Sequence, residues 1–166
     1  MTTSPIAYIS LGSNLGDSPQ ILREALARLA RLSDEPLTAS SCWETSPVAC
    51  PPGSPPFRNA AAGLRVRTGE TPESLLRTLQ DLEVAFGRPP KMGLNEPRCL
   101  DLDLICFGGE TRHTLELVLP HPRAHLRRFV LAPLDEIAPT LVLPGQNQSV
   151  RDLLAGLPTG DAAVKV

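Results

Sequence analysis

The chain has 166 residues, of which 16 are Lys or Arg and 18 are Asp or Glu, so its formal net charge at pH 7 is −2. This length fits one domain, and we expect a single domain over residues 1–166, with its core at about 6–156 and a frayed tail at 159–166. The chain lacks the basic excess that binding to nucleic acid or to an anionic membrane usually requires, which favours a small-molecule partner.

The sequence also indicates the cellular compartment of the protein. The first residues show no basic segment followed by an apolar run, and nowhere do about 18 apolar residues occur consecutively. The four cysteines (Cys42, Cys50, Cys99 and Cys106) form no C-x-x-C pair and are typical of free thiols in a reducing compartment. We therefore expect a cytoplasmic protein that contacts no membrane and, because no surplus apolar stripe remains, a monomer.

In chain order, the first predicted elements are a strand at 6–11, a turn at 12–17 and a helix. Asp17 or Ser18 can cap the helix, and Pro19 suits its first turn. Apolar residues at helical spacing predict its buried face: Ile21, Leu22, Ala25, Leu26, Leu29 and Leu32.

Two further strands are predicted at 37–45 and 59–66, on either side of an unusual loop. Residues 46–56 contain five prolines, which exclude regular structure over this stretch. A loop of this length is either a spacer or a functional loop, and its proline content does not decide between the two.

A second helix is predicted between its N-cap Thr71 and Gly87, which ends it. Its buried stripe consists of Leu75, Leu79, Leu82 and Phe86. Irregular, cation-containing residues 88–98 then lead into an acidic strand at 100–104. The remaining features are a turn at 108–109, a strand near 115–119, a basic segment at 120–128, an apolar run at 129–137 and a helix at 149–154.

The acidic strand carries the clearest chemical signal. Strict alternation over 100–104 sends the carboxylates of Asp101 and Asp103 to one face, about 6.5–7 Å apart along the strand. Two carboxylates at this spacing can share one hard cation or bracket two, and Mg²⁺ is the natural choice for oxygen ligands. An isolated D-x-D is more often an amphipathic strand whose acidic face lies in water.

The glycines after the first strand do not form a nucleotide motif. Gly12-x-Asn14-x-Gly16 matches neither the P-loop nor the dinucleotide fingerprint. If the chain handles ATP, the phosphates must be neutralised by metal on the acidic pair and by arginines from elsewhere.

Four segments, taken in order, carry a resemblance to a known family. They are Tyr8-Ile9-Ser10-Leu11-Gly12-Ser13-Asn14, Phe57-Arg58-Asn59-Ala60-Ala61, Pro97-Arg98-Cys99-Leu100-Asp101-Leu102-Asp103-Leu104 and Pro120-His121-Pro122-Arg123. Together they resemble the 6-hydroxymethyl-7,8-dihydropterin pyrophosphokinases of folate biosynthesis, from about Tyr8 to Leu154. The resemblance implies an α+β fold, a ferredoxin-like α/β sandwich with a mainly antiparallel sheet, helices packed on it and long catalytic loops. It also implies Mg²⁺-dependent transfer of diphosphate from ATP to the hydroxymethyl oxygen of the dihydropterin, with release of AMP.

The resemblance assigns roles to individual residues. Asp101 and Asp103 resemble the ligands of two Mg²⁺ ions, and Arg88 and Arg98 resemble catalytic arginines that close on the phosphates. The positions that match the ATP site are Gln80, Glu83, Arg98, Leu104, His121 and Arg127. The positions that match the pterin site are Thr45, Ser46, Val48, Phe57, Asn59, Asp101 and Phe129.

The chain departs from the family pattern between the second helix and the acidic strand. Many relatives carry a second arginine two residues after the position of Arg88, where this chain has Pro90, so Lys91 is the cation expected to contact ATP instead. Asn95 stands where a tryptophan often stacks on the pterin, and Glu96 where glycine is frequent. Lysine is a point charge rather than a bidentate fork, so we expect looser geometric control of the phosphates.

Several alternatives remain open at the level of sequence. Asp101 could accept the proton of the hydroxyl, or the bound cation could make that hydroxyl acidic enough to attack. A phosphatase, a phosphomutase or a nucleotide-sugar transferase would also use D-x-D, although the first two would need it at the end of a parallel strand within βα units. A non-enzymatic ferredoxin-like module would bind pterin or nucleotide without forming AMP.

Overall fold

The structure is a computed structural model that describes residues 4–45, 56–87, 99–158 and 163–166. The strands of the described residues are β1 (Ile6–Ser13), β2 (Thr38–Ala39), β3 (Trp43–Thr45), β4 (Phe57–Arg65), β5 (Asp101–Phe107), β6 (Arg112–His113), β7 (Val118–Leu119) and β8 (Ala163–Lys165). The helices are α1 (Ser18–Ala30), α2 (Pro72–Ala85), α3 (Arg128–Ile137) and α4 (Val150–Ala155), with a 3₁₀ turn at Ala124–Leu126. None of these described helices is long and apolar enough to cross a membrane.

The strands form a main sheet in the order β5-β1-β4-β3-β8, with β2 paired to β4 and every pairing antiparallel. β6 and β7 form a separate antiparallel pair. The predicted α+β class with a mainly antiparallel sheet is confirmed.

Two apolar cores lie on opposite faces of the main sheet. Alternate residues of β1 and β5, such as Ile9 and Leu102, pack with α1 and α2 on one face. On the other face, Val130 and Leu131 of α3 and Val150 of α4 form the second core. The sheet is therefore covered by helices on both sides, and the site described below lies on the α3 face.

Local signals account for the two long helices. The Asp17 side chain caps α1 by accepting a hydrogen bond from the Gln20 nitrogen at 3.3 Å, and Pro19 lies in the first turn. Thr71 and Ser74 cap α2 reciprocally, each side chain accepting a hydrogen bond from the other residue's backbone nitrogen. Both predicted helices are confirmed at these N-termini.

Two of the predicted strands differ from those in the structure. The strand predicted at 37–45 is two short strands, because its register against β4 shifts by one residue between Ala39 and Trp43, and the Ser40 hydroxyl accepts from the Ala61 nitrogen there. The strand predicted near 115–119 is reduced to β7 at its end. Residues 163–165, expected to fray, form β8 because β3 offers a free edge for pairing. The apolar run at 129–137 is helical and forms most of α3.

The turn after β5 requires glycine at one position. Gly108 has a φ of 54°, and a Cβ there would lie 2.7 Å from the Pro5 Cβ. At the adjacent Gly109 an added Cβ meets nothing within 4 Å.

Gly108→Ala is therefore expected to lower the free energy of unfolding by about 1–3 kcal/mol, from backbone strain and the collision with Pro5. Gly109→Ala is the matched control and should cost less than about 0.5 kcal/mol. Urea denaturation of both variants checks this. Equal losses at the two positions would show that the close contact with Pro5 carries no cost.

Candidate active site

The site is organised by one row of residues across the sheet. Gly12 of β1 pairs with Asp101 of β5 on one side and with Asn59 of β4 on the other. Directly opposed residues in an antiparallel sheet share a face, and neighbouring strands lie about 4.8 Å apart. The carboxylate and the amide therefore face the same side, with the glycine between them. In the next row on this face, Asp103 pairs with Ser10.

Gly12 leaves the middle of this row open. A Cβ at Gly12 would lie 3.2 Å from Asn59 Oδ1 and 3.8 Å from Phe57 Cδ1. The amide oxygen and the phenyl ring thus border the space above the glycine. The sequence predicts Gly12 in a turn, whereas the structure places it in β1, where it forms the floor of the site. Its position in the Gly-Ser-Asn segment is the sequence signal for this role.

The predicted pterin side is held by a short buried hydrogen bond. Asn59 Nδ2 donates to Thr45 Oγ1 at 2.6 Å, and the two residues are only 3% and 7% exposed. β3 and β4 pair Thr45 directly with Phe57, so the three predicted pterin residues are adjacent. The bond fixes the orientation of the amide, because it commits the nitrogen to Thr45 and leaves the oxygen towards Gly12.

Glu83 of α2 is attached to the strand that carries the acids. Its Oε2 accepts a hydrogen bond from the backbone nitrogen of Leu102 at 2.9 Å, and the side chain is 7% exposed. Leu102 lies between Asp101 and Asp103, on the outer strand of the described sheet. The glutamate therefore ties α2 to the acidic pair.

His121 lies within the electrostatic reach of Asp101. Its backbone nitrogen donates to the Ile105 carbonyl at 2.8 Å, and its Nδ1 accepts from the Arg123 nitrogen at 3.2 Å. Burial, together with the positive charges of Arg127 and Arg123, lowers the pKa of His121 to about 4, and the Asp101 carboxylate acts in the opposite direction. The imidazole is thus neutral near pH 7 and carries its proton on Nε2.

Arg127 and Phe129 connect the two predicted halves of the site. The Arg127 guanidinium carbon lies 5.3 Å from the centroid of the Phe129 ring, within cation–π distance. Arg127 also acts electrostatically on His121, as Asp101 does. The start of α3, with Arg127 at its N-cap, therefore brings a predicted ATP residue and a predicted pterin residue together.

Two predicted ATP residues have restricted roles in the structure. The Leu104 side chain is 4% exposed and packs in the core under α1 and α2, so only its backbone can contact a ligand. Gln80 is exposed on α2, three residues before Glu83 and so on the same side of the helix. The other predicted residues Ser46, Val48, Arg88, Lys91 and Arg98, and the departures Pro90, Asn95 and Glu96, lie outside the described residues.

The acidic pair suits a cation that is shared with a ligand. Among the described residues, no group of three or more His, Cys, Asp or Glu side chains is placed to hold a metal ion. Mg²⁺ is commonly held by one or two carboxylates together with substrate phosphates. Asp101 and Asp103 match that donor set, since both are half-buried and face one side of the sheet.

Comparison with known proteins agrees with this arrangement. Residues 8–139 match the model of the 7,8-dihydro-6-hydroxymethylpterin-pyrophosphokinase family. The chain belongs to this family. The predicted enzyme class, a pyrophosphokinase, is confirmed by this membership.

Individual relatives span the chain to different extents. The 2-amino-4-hydroxy-6-hydroxymethyldihydropteridine pyrophosphokinase of Bacillus subtilis (strain 168) is 41% identical over 133 residues, covering 80% of this chain and 77% of the relative. The folic acid synthesis protein fol1 of Schizosaccharomyces pombe (strain 972) is 35% identical over 159 residues, covering 95% of this chain and only 21% of the relative.

A solved structure supports the fold. The crystal structure of an HPPK-DHPS in complex with substrates superposes with a TM-score of 0.73 over 93% of this chain, at 13% sequence identity. This chain spans 43% of that solved chain. The likeness confirms the ferredoxin-like α+β fold.

Removal of the Glu83 carboxylate is expected to loosen the acidic strand. Glu83→Ala leaves the buried Leu102 nitrogen without that acceptor, which should lower the free energy of unfolding by about 1–3 kcal/mol. The Leu102 amide should also exchange its hydrogen faster. Glu83→Gln retains an oxygen acceptor and should preserve more of the protection. Unchanged exchange in the alanine variant would show that the bond does not hold β5.

The pKa of His121 gives a test by NMR. The folded imidazole should remain neutral, with its proton on Nε2, until the pH approaches 4, whereas in the unfolded chain it protonates near 6.5. The unfolded state binds more protons between these values, so His121 makes the protein less stable as the pH falls through that window. Side-chain ¹⁵N shifts, assigned with His121→Gln, check this; titration near 6.5 in the folded protein would contradict it.

Proposed function

We propose that this chain transfers diphosphate from ATP to the hydroxymethyl oxygen of 6-hydroxymethyl-7,8-dihydropterin, releasing AMP and the pterin diphosphate, in folate biosynthesis. Membership of the pyrophosphokinase family supports the reaction type. The observation that carries the proposal is the row formed by Asp101, Gly12 and Asn59. Together with Asp103 in the next row, it sets an acidic pair for phosphates beside an amide for a heterocycle, with open space between them.

The acidic pair is proposed to form the phosphate side. Asp101 and Asp103 would hold Mg²⁺, with two ions expected, and the bound metal would supply neutralisation of the phosphate charge. The rigidity of the strand matters because phosphoryl transfer depends on positioning and charge stabilisation. Glu83 supports that rigidity through its hydrogen bond to Leu102.

His121 and Arg127 are proposed to contact the nucleotide in different ways. The neutral His121 imidazole can donate a hydrogen bond from Nε2 without adding a charge beside Arg127. The permanently charged Arg127 guanidinium can offset a phosphate charge. Gln80, the backbone of Leu104 and the loop residues Arg88, Lys91 and Arg98 are proposed to complete the ATP site.

Asn59 is proposed to read the edge of the pterin, since its amide is oriented by Thr45 and its oxygen faces the open space above Gly12. Phe57 borders the same space and Phe129 lies at the start of α3. Flat aromatic faces favour stacking on a planar heterocycle. The backbone at Ser46 and Val48 is proposed to add further pterin contacts.

The deciding experiment is to incubate the chain with Mg²⁺, ATP and 6-hydroxymethyl-7,8-dihydropterin and to separate the nucleotide and pterin products. We expect AMP in step with a pterin diphosphate. Asp101→Asn and Asp103→Asn should each lower kcat by about 100-fold or more, because each removes a charge from the phosphate side. Asp81→Asn, at an exposed carboxylate of α2, is the control and should retain activity.

Other products would identify other functions. ADP would indicate transfer of a single phosphate. Binding of ATP and pterin without turnover, from a folded sample, would favour a binding module over an enzyme. The monomeric state and the cytoplasmic location remain predictions, and sedimentation velocity would test the first.

A further inference from the structure

Glu136, near the end of α3, binds the segment that leads into β3. Ser41 donates from its backbone nitrogen and from its hydroxyl to Glu136 Oε2, at 2.9 and 2.8 Å. Trp43 donates from its indole nitrogen to Glu136 Oε1 at 3.1 Å. One carboxylate on α3 therefore accepts three hydrogen bonds from two residues of the sheet edge.

β8 supports the same segment from its other side. Lys165 pairs with Trp43 and Ala163 pairs with Thr45, while the Val166 nitrogen donates to the Cys42 carbonyl at 2.9 Å. The Lys165 ammonium lies 5.6 Å from the centroid of the Trp43 ring and 4.0 Å from Glu136 Oε1. The indole is thus held at its nitrogen by the glutamate and at its face by the lysine.

The segment held in this way ends at the predicted pterin site. β3 has only three residues, and its last one, Thr45, accepts the hydrogen bond from Asn59. Trp43 pairs with Asn59 across the same two strands. A displacement of β3 would therefore move the partner that orients the Asn59 amide.

α3 also carries Phe129, a predicted pterin residue, on the side of the helix that bears Glu136. Phe129 precedes Glu136 by seven residues, which is about two helical turns, so both lie on one side of the helix. α3 packs against both β3 and β4. The Glu136 hydrogen bonds consequently fix the helix that presents Phe129 relative to the strands that present Thr45 and Asn59.

We propose that Glu136 is a positioning residue for pterin binding, and that through Ser41 and Trp43 it holds β3 so that Thr45 orients Asn59, with β8 as the second support of β3. The proposal rests on the proposed function and adds to it a residue outside the predicted substrate contacts. The proposal predicts different effects on the binding of the two substrates, because β3 lies on the pterin side of the row and the acidic strand lies on the other side.

The substitution Glu136→Gln tests the proposal with little change in the shape of the side chain. The amide keeps one oxygen and replaces the other with a donor, so at least one of the three hydrogen bonds is lost. We expect the KM and the Kd for 6-hydroxymethyl-7,8-dihydropterin to rise about tenfold, with the KM for ATP changed less than about twofold. The Kd is measured by fluorescence titration of the pterin and does not depend on turnover.

The neighbouring acid of the same helix is the matched control. Asp135 Oδ1 accepts from Arg151 of α4 at 3.1 Å, so Asp135→Asn removes a charge and an ion pair without touching β3. We expect its pterin Kd to stay within about twofold of the wild type. An equal rise in both variants would show general weakening of α3 and would overturn the proposal.

Deletion of residues 163–166 provides a second, independent test. It removes β8 and should raise the pterin Kd selectively, as Glu136→Gln does. Because both changes act through β3, their combination should raise the Kd by less than the product of the separate effects.

An unchanged pterin Kd in Glu136→Gln overturns the proposal even if the wild type forms AMP. Pterin binding without AMP formation overturns the proposed function alone, and no pterin binding by the wild type overturns both.

Discussion

The register of β1 against its two neighbours is the constraint on which the site depends. Because β1 runs antiparallel to both β4 and β5, Gly12 brings Asn59 and Asp101 into one row from distant parts of the chain. The strand spacing sets their separation, and the missing side chain of Gly12 keeps the space between them open. A slip of one residue along β5 would turn the carboxylates into the apolar core and the leucines towards the ligand.

The apolar face of the same strands enforces that register. Leu102 and Leu104 are buried with Ile9 and Leu11 beneath α1 and α2, so the burial of leucine and isoleucine side chains fixes the direction in which the acids point. Burial also acts on the other face, where desolvation keeps the His121 imidazole neutral beside Arg127. The imidazole therefore keeps a hydrogen-bond donor on Nε2 without a charge of its own.

Antiparallel topology also removes a competing interpretation. A phosphatase or phosphomutase with D-x-D needs the acids at the end of a parallel strand within βα units, whereas β5 pairs antiparallel with β1. The contacts that hold β3 beside the site belong to the same antiparallel sheet. β8 pairs with the edge of β3 that β4 leaves open, and Glu136 of α3 accepts hydrogen bonds from Ser41 and Trp43.

The sequence by itself determined the features that depend on neighbours along the chain. Caps at Asp17 and Thr71 and apolar stripes predicted α1 and α2, and alternation placed Asp101 and Asp103 on one face. The ordered motifs indicated the family. These signals are local, because helical and strand periodicities repeat within two to four residues.

Only the tertiary structure decided which distant segments meet. The break between β2 and β3, the pairing of β8, the helical state of the run at 129–137 and the hydrogen bonds of Glu136 all depend on such meetings. The lowered pKa of His121 depends on burial and on charges brought close by folding. No periodicity in the chain encodes these contacts, since each arises where one element packs against another that lies far away in sequence.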